Sequence, residues 1–425
     1  MAKFWQSIAL AVLALLPGLA ARVSDIHLAP VVDLAVSGLS ILAAGFLLSW
    51  AVEAAEEHVS RGLAIAALAL ITVLPEYVID LYYAFQAGRD PASSYVQYAA
   101  ANMTGANRLL VGLGWPAITL LYWWRAGKRA VDLDPSNAIE VCFLALGSVY
   151  SFVIVLKGRI DWSDFVILFG LFAAYLWRLG RAPRENGGNA EEEAEVGPAA
   201  ALQTLPRAHQ FSIIGALAAS AGAVILFMAE PFAQSLIGAA RTLGVNEFLL
   251  IQWLGSLASE TPEIVIMVLF TLSLRPAHAL GALISDKINQ WTLLIGSLPI
   301  VYSLGAGRLL ALPLDGRQKE EFFLTAAQSL FAVALLLRLR FGLRSAGILL
   351  ALFVGQLATA FVLQHDEERT IAALTAFAWL YLAAALAISI IDRRALVERL
   401  RFGLLGGGPK RKLDSHSNST TSLTR

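Results

Sequence analysis

Twelve apolar stretches run along this chain, most of them near the length of a membrane-crossing helix: 4–21, 31–55, 62–87, 95–124, 138–156, 163–180, 210–241, 247–273, 278–305, 321–338, 345–364 and 370–391. A helix needs about 20 apolar residues to cross a hydrocarbon core about 30 Å thick. In that medium every backbone N–H and C=O must be bonded within its own segment. The pattern predicts an all-α fold: a polytopic transmembrane helix bundle of about 11–12 spans. Two stretches, 95–124 and 278–305, are long and carry Gly or Pro near the middle, which predicts broken or strongly tilted helices. A length of 425 residues would otherwise suit two or three soluble domains, but 57% apolar and 15% charged residues exclude that class.

The segments between the spans divide the chain. Residues 1–30 read either as a signal-like leader or as an extra transmembrane segment, since Lys3, the apolar run 8–16 and the small Ala20 and Ala21 fit both. Residues 31–180 and 210–369 form two halves, joined by a polar linker, 181–209, with an acidic run at Glu191, Glu192, Glu193 and Glu195. Residues 370–405 add a C-terminal helix with a basic end, and the Gly-rich, then Ser/Thr-rich tail 406–425 reads as disordered. Placing the spans in order puts 21 Lys and Arg on one face and 9 on the other, or 13 against 9 without the C-terminal end. By the positive-inside rule the richer face is cytoplasmic. The central linker and the C-terminus then lie inside, and the chain is expected in the plasma (inner) membrane.

Several chemistries lack their residues. With 32 basic and 32 acidic side chains there is no bulk field for nucleic acid. Cys142 is the only cysteine and reads as packing; the six histidines are dispersed. Phosphate-binding glycine loops, a nucleophile elbow and H-E-x-x-H are absent, so neither an enzyme nor a cofactor is expected. The partners are the lipid bilayer and metal cations as substrates. The Trp residues, among them Trp123, Trp124 and Trp162, are expected at the membrane interfaces. Glu53, Glu56, Glu57 and His58 close the second stretch as a solvated helix end or a cation mouth.

The two halves repeat a pattern. The first carries Leu70-Ile71-Thr72-Val73-Leu74-Pro75-Glu76 and the second Leu257-Ala258-Ser259-Glu260-Thr261-Pro262-Glu263. Each is followed by a helix with a small-polar stretch, bearing Asn102 in one half and Asp286 and Gln290 in the other. Aligning Gly112 with Gly296 pairs Asn102 with Asp286 and Ala106 with Gln290. Five spans separate the two Pro-Glu helices in order, and an odd offset inverts one copy relative to the other. Inverted repeats are a transporter signature, with the site near the midplane.

Glu76, Glu260 and Glu263 are carboxylates inside apolar runs, which costs at least about 2.5–3.5 kcal/mol each on insertion scales. Thr72 and Glu76, like Ser259 and Glu263, are four apart and share a helix face. Pro75 and Pro262 give no backbone donor, so the carbonyls of Ile71 and Ala258 are freed. Carboxylate, hydroxyl and free carbonyl are all hard oxygen ligands, the kind Ca²⁺ requires and the kind that suits Na⁺ in a broken helix. The candidate metal-binding set is Glu76, Glu263, Thr72, Ser259, Asn102, Asp286, Glu260 and Gln290.

At these residues the chain resembles the cation/calcium exchanger superfamily, which includes sodium/calcium and proton/calcium antiporters. Its repeats look like Gly-Thr-Ser-x-Pro-Glu on one helix and Gly-Ser-Asn-Ile-x-Asn, or the same ending in Asp, on the next. The resemblance covers roughly 40–112 and 225–296. It implies ten core helices in two inverted halves around a cytoplasmic loop, with 4–21 and 370–391 as additional spans. It also implies that Glu76 and Glu263 are the ion-binding glutamates and that Thr72 and Ser259 stand for the motif Thr. Asn102 and Asp286 fall where the motif has Ser, and Gln290 falls on its final polar position. Val73 and Glu260 depart from the motif Ser, and Arg108 and Lys287 put cations near the site. A fixed cation can stand in for a bound monovalent ion. Arg108 is expected to pair with Glu260 or Asp286, while Lys287 either acts at the site or snorkels to an interface. The expected function is secondary-active antiport of Ca²⁺, or another divalent cation, for Na⁺ or H⁺ by alternating access. The alternative is a monovalent cation/proton exchanger or a cation-coupled solute transporter of the same fold.

Overall fold

A computed structural model describes residues 2–55, 73–181, 202 and 205–405. Thr72, Ile71, Glu56, Glu57, His58, the side chain of Glu53, the linker's acidic run and the tail beyond Leu405 lie outside the described residues. The fold is a bundle of helices, and among the described residues eight are long and apolar enough to cross a membrane.

Helix α1 (Ala2–Val23) packs on α2 (Pro30–Ala55), which lies along the longest helix, α8 (Arg207–Leu243). The first half continues through α3 (Leu74–Arg89), α4 (Tyr95–Leu109), α5 (Trp115–Ala126), α6 (Ala138–Lys157) and α7 (Trp162–Gly180). After α8, the second half runs through α9 (Glu247–Leu250), α10 (Ser256–Leu272), α11 (Pro276–Asn289), α12 (Ile295–Ala306), α13 (Gly316–Leu335) and α14 (Leu343–Val362). Two further helices, α15 (Glu367–Ile391) and α16 (Arg393–Leu405), close the chain.

Three of these helix pairs are single rods interrupted by a wide π turn: Leu110–Gly114 between α4 and α5, Ile251–Gly255 between α9 and α10, and Gln290–Leu294 between α11 and α12. The first and third fall in the two stretches whose length and Gly or Pro content predicted a break. The second was not anticipated, because no proline marks it. A π turn keeps the backbone bonded in a medium without water while rotating the residues after it onto a new face, and such turns recur at functional sites.

Two short antiparallel ribbons reveal how the halves are related. Strand β1 (Ala130–Asp132) precedes α6 and β2 (Arg159–Ile160) follows it; β3 (Leu312–Pro313) precedes α13 and β4 (Arg340–Gly342) follows it. β1 pairs with β4 and β2 pairs with β3. Helix α6 therefore runs from the first ribbon to the second and α13 runs from the second to the first. Matching helices of the two halves point in opposite directions.

The rods approach closely where glycine allows it, as expected when helix association cannot draw on the hydrophobic effect. Gly88 on α3 lies against the Tyr302 carbonyl and Gly305 on α12 against the Phe85 carbonyl. Gly105 on α4 meets the second π turn, where an added Cβ would sit 1.8 Å from the Gln252 carbonyl oxygen. Backbone cannot rotate away as a side chain can. Gly105→Ala is expected to cost about 3 kcal/mol, the upper end of overpacking penalties. The check is thermal unfolding in detergent, where an unchanged midpoint would show that this contact is looser than described.

The aromatic expectation divides. Trp123, Trp124 and Trp162 are exposed, but Trp115 and Trp291 are fully buried core residues beside the first and within the third π turn.

Candidate ion-binding site

Glu76 stands in the first turn of α3, directly after Pro75. Proline suits this place because its missing N–H would be unbonded there in any case, and a carboxylate in a first turn faces the positive end of the helix dipole. Pro262 instead lies inside α10, where it removes the donor that the Ala258 carbonyl would accept from, and Glu263 follows it. Glu260 is one turn earlier on the same helix. All three carboxylates are buried.

The third π turn brings them together. Its first residue, Gln290, donates from Nε2 to Glu76 Oε2 at 2.9 Å and to Glu260 Oε1 at 2.8 Å. One amide thus ties a carboxylate of the first half to one of the second. Glu260 also interacts electrostatically with Glu263, which in turn faces Asp286. Glu76 and Glu263, the symmetric pair of the sequence pattern, are joined through Glu260 rather than to each other. Asp286 is only half-buried, whereas Asn102 is fully buried and takes the Ser256 hydroxyl on its backbone carbonyl at 2.8 Å. The Ser259 hydroxyl donates within its own helix, to the carbonyls of Gly255 and Ser256 at 3.3 and 3.1 Å.

Three residues missed by the sequence reading complete this arrangement. Asp80 lies one turn beyond Glu76 on the same face, fully buried and close enough to interact with both it and the Asn102 side chain. Its four-residue spacing from Glu76, inside the apolar stretch 62–87, was the available signal. Asn107 receives the Lys287 ammonium on both its backbone carbonyl, at 3.0 Å, and Oδ1, at 2.7 Å. Asn289 accepts from the Tyr77 hydroxyl at 2.6 Å.

For the two cations, one open alternative is decided and one expectation is corrected. Lys287 does not snorkel: it is 1% exposed and points into the interior, because Asn107 and the carboxylates offer better partners than the interface. Arg108 pairs with neither Glu260 nor Asp286. Its guanidinium bonds Glu321 on α13 and stacks 5.0 Å from the Trp253 ring centroid. Glu321 also accepts from Gln252 at 2.8 Å and pairs with Arg317 at 2.6 Å. Arg317 is itself buried in this second network.

The site offers oxygen. Glu76 Oε1, both carboxylate oxygens of Glu263 and Gln290 Oε1 are buried without hydrogen-bond partners. An unsatisfied buried acceptor costs about 1–3 kcal/mol, more when charged, and a hard cation is the ligand that satisfies several at once. Among the described residues no three acidic, histidine or cysteine side chains converge on a single metal position. The unpartnered oxygens here are carboxylate oxygens of Glu76 and Glu263 together with the amide oxygen of Gln290.

The family model described as sodium/calcium exchanger protein matches residues 30–180 and 213–362. The crystal structure of the H⁺/Ca²⁺ exchanger CAX is 38% identical, superimposes with a TM-score of 0.87, and covers 94% of this chain and 98% of its own. A structure of the sodium-calcium exchanger NCX_Mj soaked with 2.5 mM Na⁺ and 1 mM Sr²⁺ is 17% identical, with a TM-score of 0.52 over 78% of this chain and 99% of its own. A second, soaked with 10 mM Na⁺ and 10 mM Sr²⁺, is 18% identical with a TM-score of 0.51 over 77% and 97%. At that identity these two show the shared fold alone. Among curated proteins no relative matches.

Proposed function

This chain belongs to the sodium/calcium exchanger protein family, and from that premise we propose that it exchanges Ca²⁺ for H⁺ across a membrane by alternating access. The observation that carries the reading is the buried carboxylate pair Glu76 and Glu260, one from each inverted half, bridged by Gln290 and flanked by Glu263 and Asp80. Carboxylates facing one another away from water cannot all stay charged and unneutralised. Either a cation or protons must occupy them, so release of one requires arrival of the other. That is the logic of countertransport.

The residues divide the work. Glu76 and Glu263 supply carboxylate oxygens to Ca²⁺, Gln290 supplies its free Oε1, and Asn102, Asp286 and Ser259 form the surrounding polar shell. Glu260 couples the two halves through the Gln290 amide, so a rocking motion of one half against the other changes its distance to Glu76. The similarity to an H⁺/Ca²⁺ exchanger over nearly the whole chain supports protons over Na⁺ as the competing ion. The excess of Lys and Arg supports an orientation with the central linker and C-terminus on the cytoplasmic side of the plasma (inner) membrane.

The test is ⁴⁵Ca²⁺ uptake into proteoliposomes under imposed pH, Na⁺ or K⁺ gradients. Uptake driven by a pH gradient alone is expected. Uptake driven by Na⁺ alone would replace the proton with sodium, and a lack of uptake under every one of these gradients would remove Ca²⁺ as the substrate.

A further inference from the structure

Lys287 has no role in the scheme just given, yet it is one of the most completely buried side chains in the protein. It projects from the last turn of α11, three residues before Gln290, and its ammonium lies within electrostatic reach of both Glu260 and Glu76. It donates to the carbonyl and the side-chain oxygen of Asn107, and the Trp291 ring lies 5.7 Å away. Asn107 sits just before the first π turn, where the Leu110 amide is shared between the Ala106 and Asn107 carbonyls. The widened turn leaves the Asn107 carbonyl with bonding capacity to spare.

A backbone carbonyl loosened at a helix break, an amide oxygen beside it and carboxylates close by are the ligands that hold Na⁺ inside a membrane carrier. Here an ammonium already holds the two Asn107 oxygens. An ammonium carries the same single charge as Na⁺ and, being tethered, never has to be bound from solution or released. Arg108 does not share this role, since it is committed to Glu321 and Trp253.

We propose that Lys287 is a built-in monovalent cation: it occupies a sodium-type position formed by Asn107 and thereby makes Ca²⁺ exchange independent of Na⁺. The inference rests on the exchanger reading above and deepens it by naming the residue that selects the competing ion. Removing the ammonium while keeping the side-chain length opens the position to a dissolved ion. Replacing it with another fixed cation does not.

The experiment uses the full chain in proteoliposomes, as wild type, Lys287→Met and Lys287→Arg. In the wild type, pH-driven ⁴⁵Ca²⁺ uptake is expected to be indifferent to Na⁺ on either side. In Lys287→Met an opposing Na⁺ gradient is expected to raise uptake about fivefold or more, the low end of ordinary coupling between two sites, while Lys287→Arg stays indifferent. A folded Lys287→Met protein that ignores Na⁺ would overturn the proposal. So would a wild type whose uptake is driven by Na⁺, a result that needs no variant to fold. If Lys287→Met is not recovered folded, Lys287→Gln takes its place with the same two outcomes. A wild type that moves no Ca²⁺ under any gradient overturns the exchanger reading itself, and the role given to Lys287 with it.

Discussion

Glu76→Gln and Glu263→Gln should each reduce Ca²⁺ exchange on the order of 100-fold or more while leaving a folded protein in the membrane. The substitution keeps the shape of the side chain and removes one of few charges facing a divalent cation. In a poorly solvated interior a unit charge a few ångströms from a cation is worth several kcal/mol even at an effective dielectric of about 20, and each 1.4 kcal/mol is about tenfold in affinity. The neutral amide is also cheaper to bury than a carboxylate, so folding should not suffer. Gel filtration in detergent checks the fold, and ⁴⁵Ca²⁺ flux in proteoliposomes checks exchange. Flux within twofold of wild type in either variant would remove that glutamate from the site. Because Gln290 bridges Glu76 to Glu260 and not to Glu263, Glu260→Gln tests the link between the halves separately.

The second large effect concerns stability. Arg108→Met strands Glu321, a fully buried carboxylate, with only Arg317 and Gln252 as partners. Breaking one partner of a buried ion pair typically costs about 3–5 kcal/mol, because the surviving charge stays out of water. Glu321→Gln should cost more than Arg108→Met, since it leaves the Arg108 guanidinium without its carboxylate and Arg317 with only the longer pairing to Glu320. The double variant Arg108→Met/Glu321→Leu should recover part of the loss, with Arg317 still left beside Glu320 at 3.8 Å. Thermal unfolding of the detergent-solubilised proteins gives the order. A Glu321→Gln protein as stable as wild type would mean that this network does not hold α4 to α13.

Much of the candidate site was legible because charge inside an apolar run is conspicuous. Glu76, Glu260 and Glu263 each break a hydrophobic pattern, and the repeat of Pro-Glu in both halves set them apart. Gln290 emerged from the same comparison. Asp80 was overlooked because the repeat gives it no acidic counterpart: Met267 stands four residues after Glu263 in the second half. The roles of Asn107 and Asn289 could not be read, since an Asn in a polar stretch gives no hint of which residue some 180 positions away it will meet. Arg108 was assigned to the wrong partner for the same reason. Periodicity says which face of a helix a residue occupies, but it says nothing about which of several carboxylates another helix brings opposite it.

That the chain forms a polytopic helix bundle followed from the sequence alone, because unbonded backbone is costly in hydrocarbon and long continuous apolar runs satisfy it as helices; of the twelve stretches read as spans, eight helices among the described residues are long and apolar enough to cross. So did the inversion of the halves, which is a matter of counting crossings. The tertiary structure decided everything that depends on contact between the halves: the Gln290 bridge from Glu76 to Glu260, the burial of Lys287 on Asn107, and the removal of Arg108 to a separate network around Glu321. Part of the physical reason is the π turn at 251–255, which rotates the helix that follows it and with it Glu260 and Glu263. A wide turn leaves no mark in hydropathy, yet it determines which polar side chains face each other across the interface.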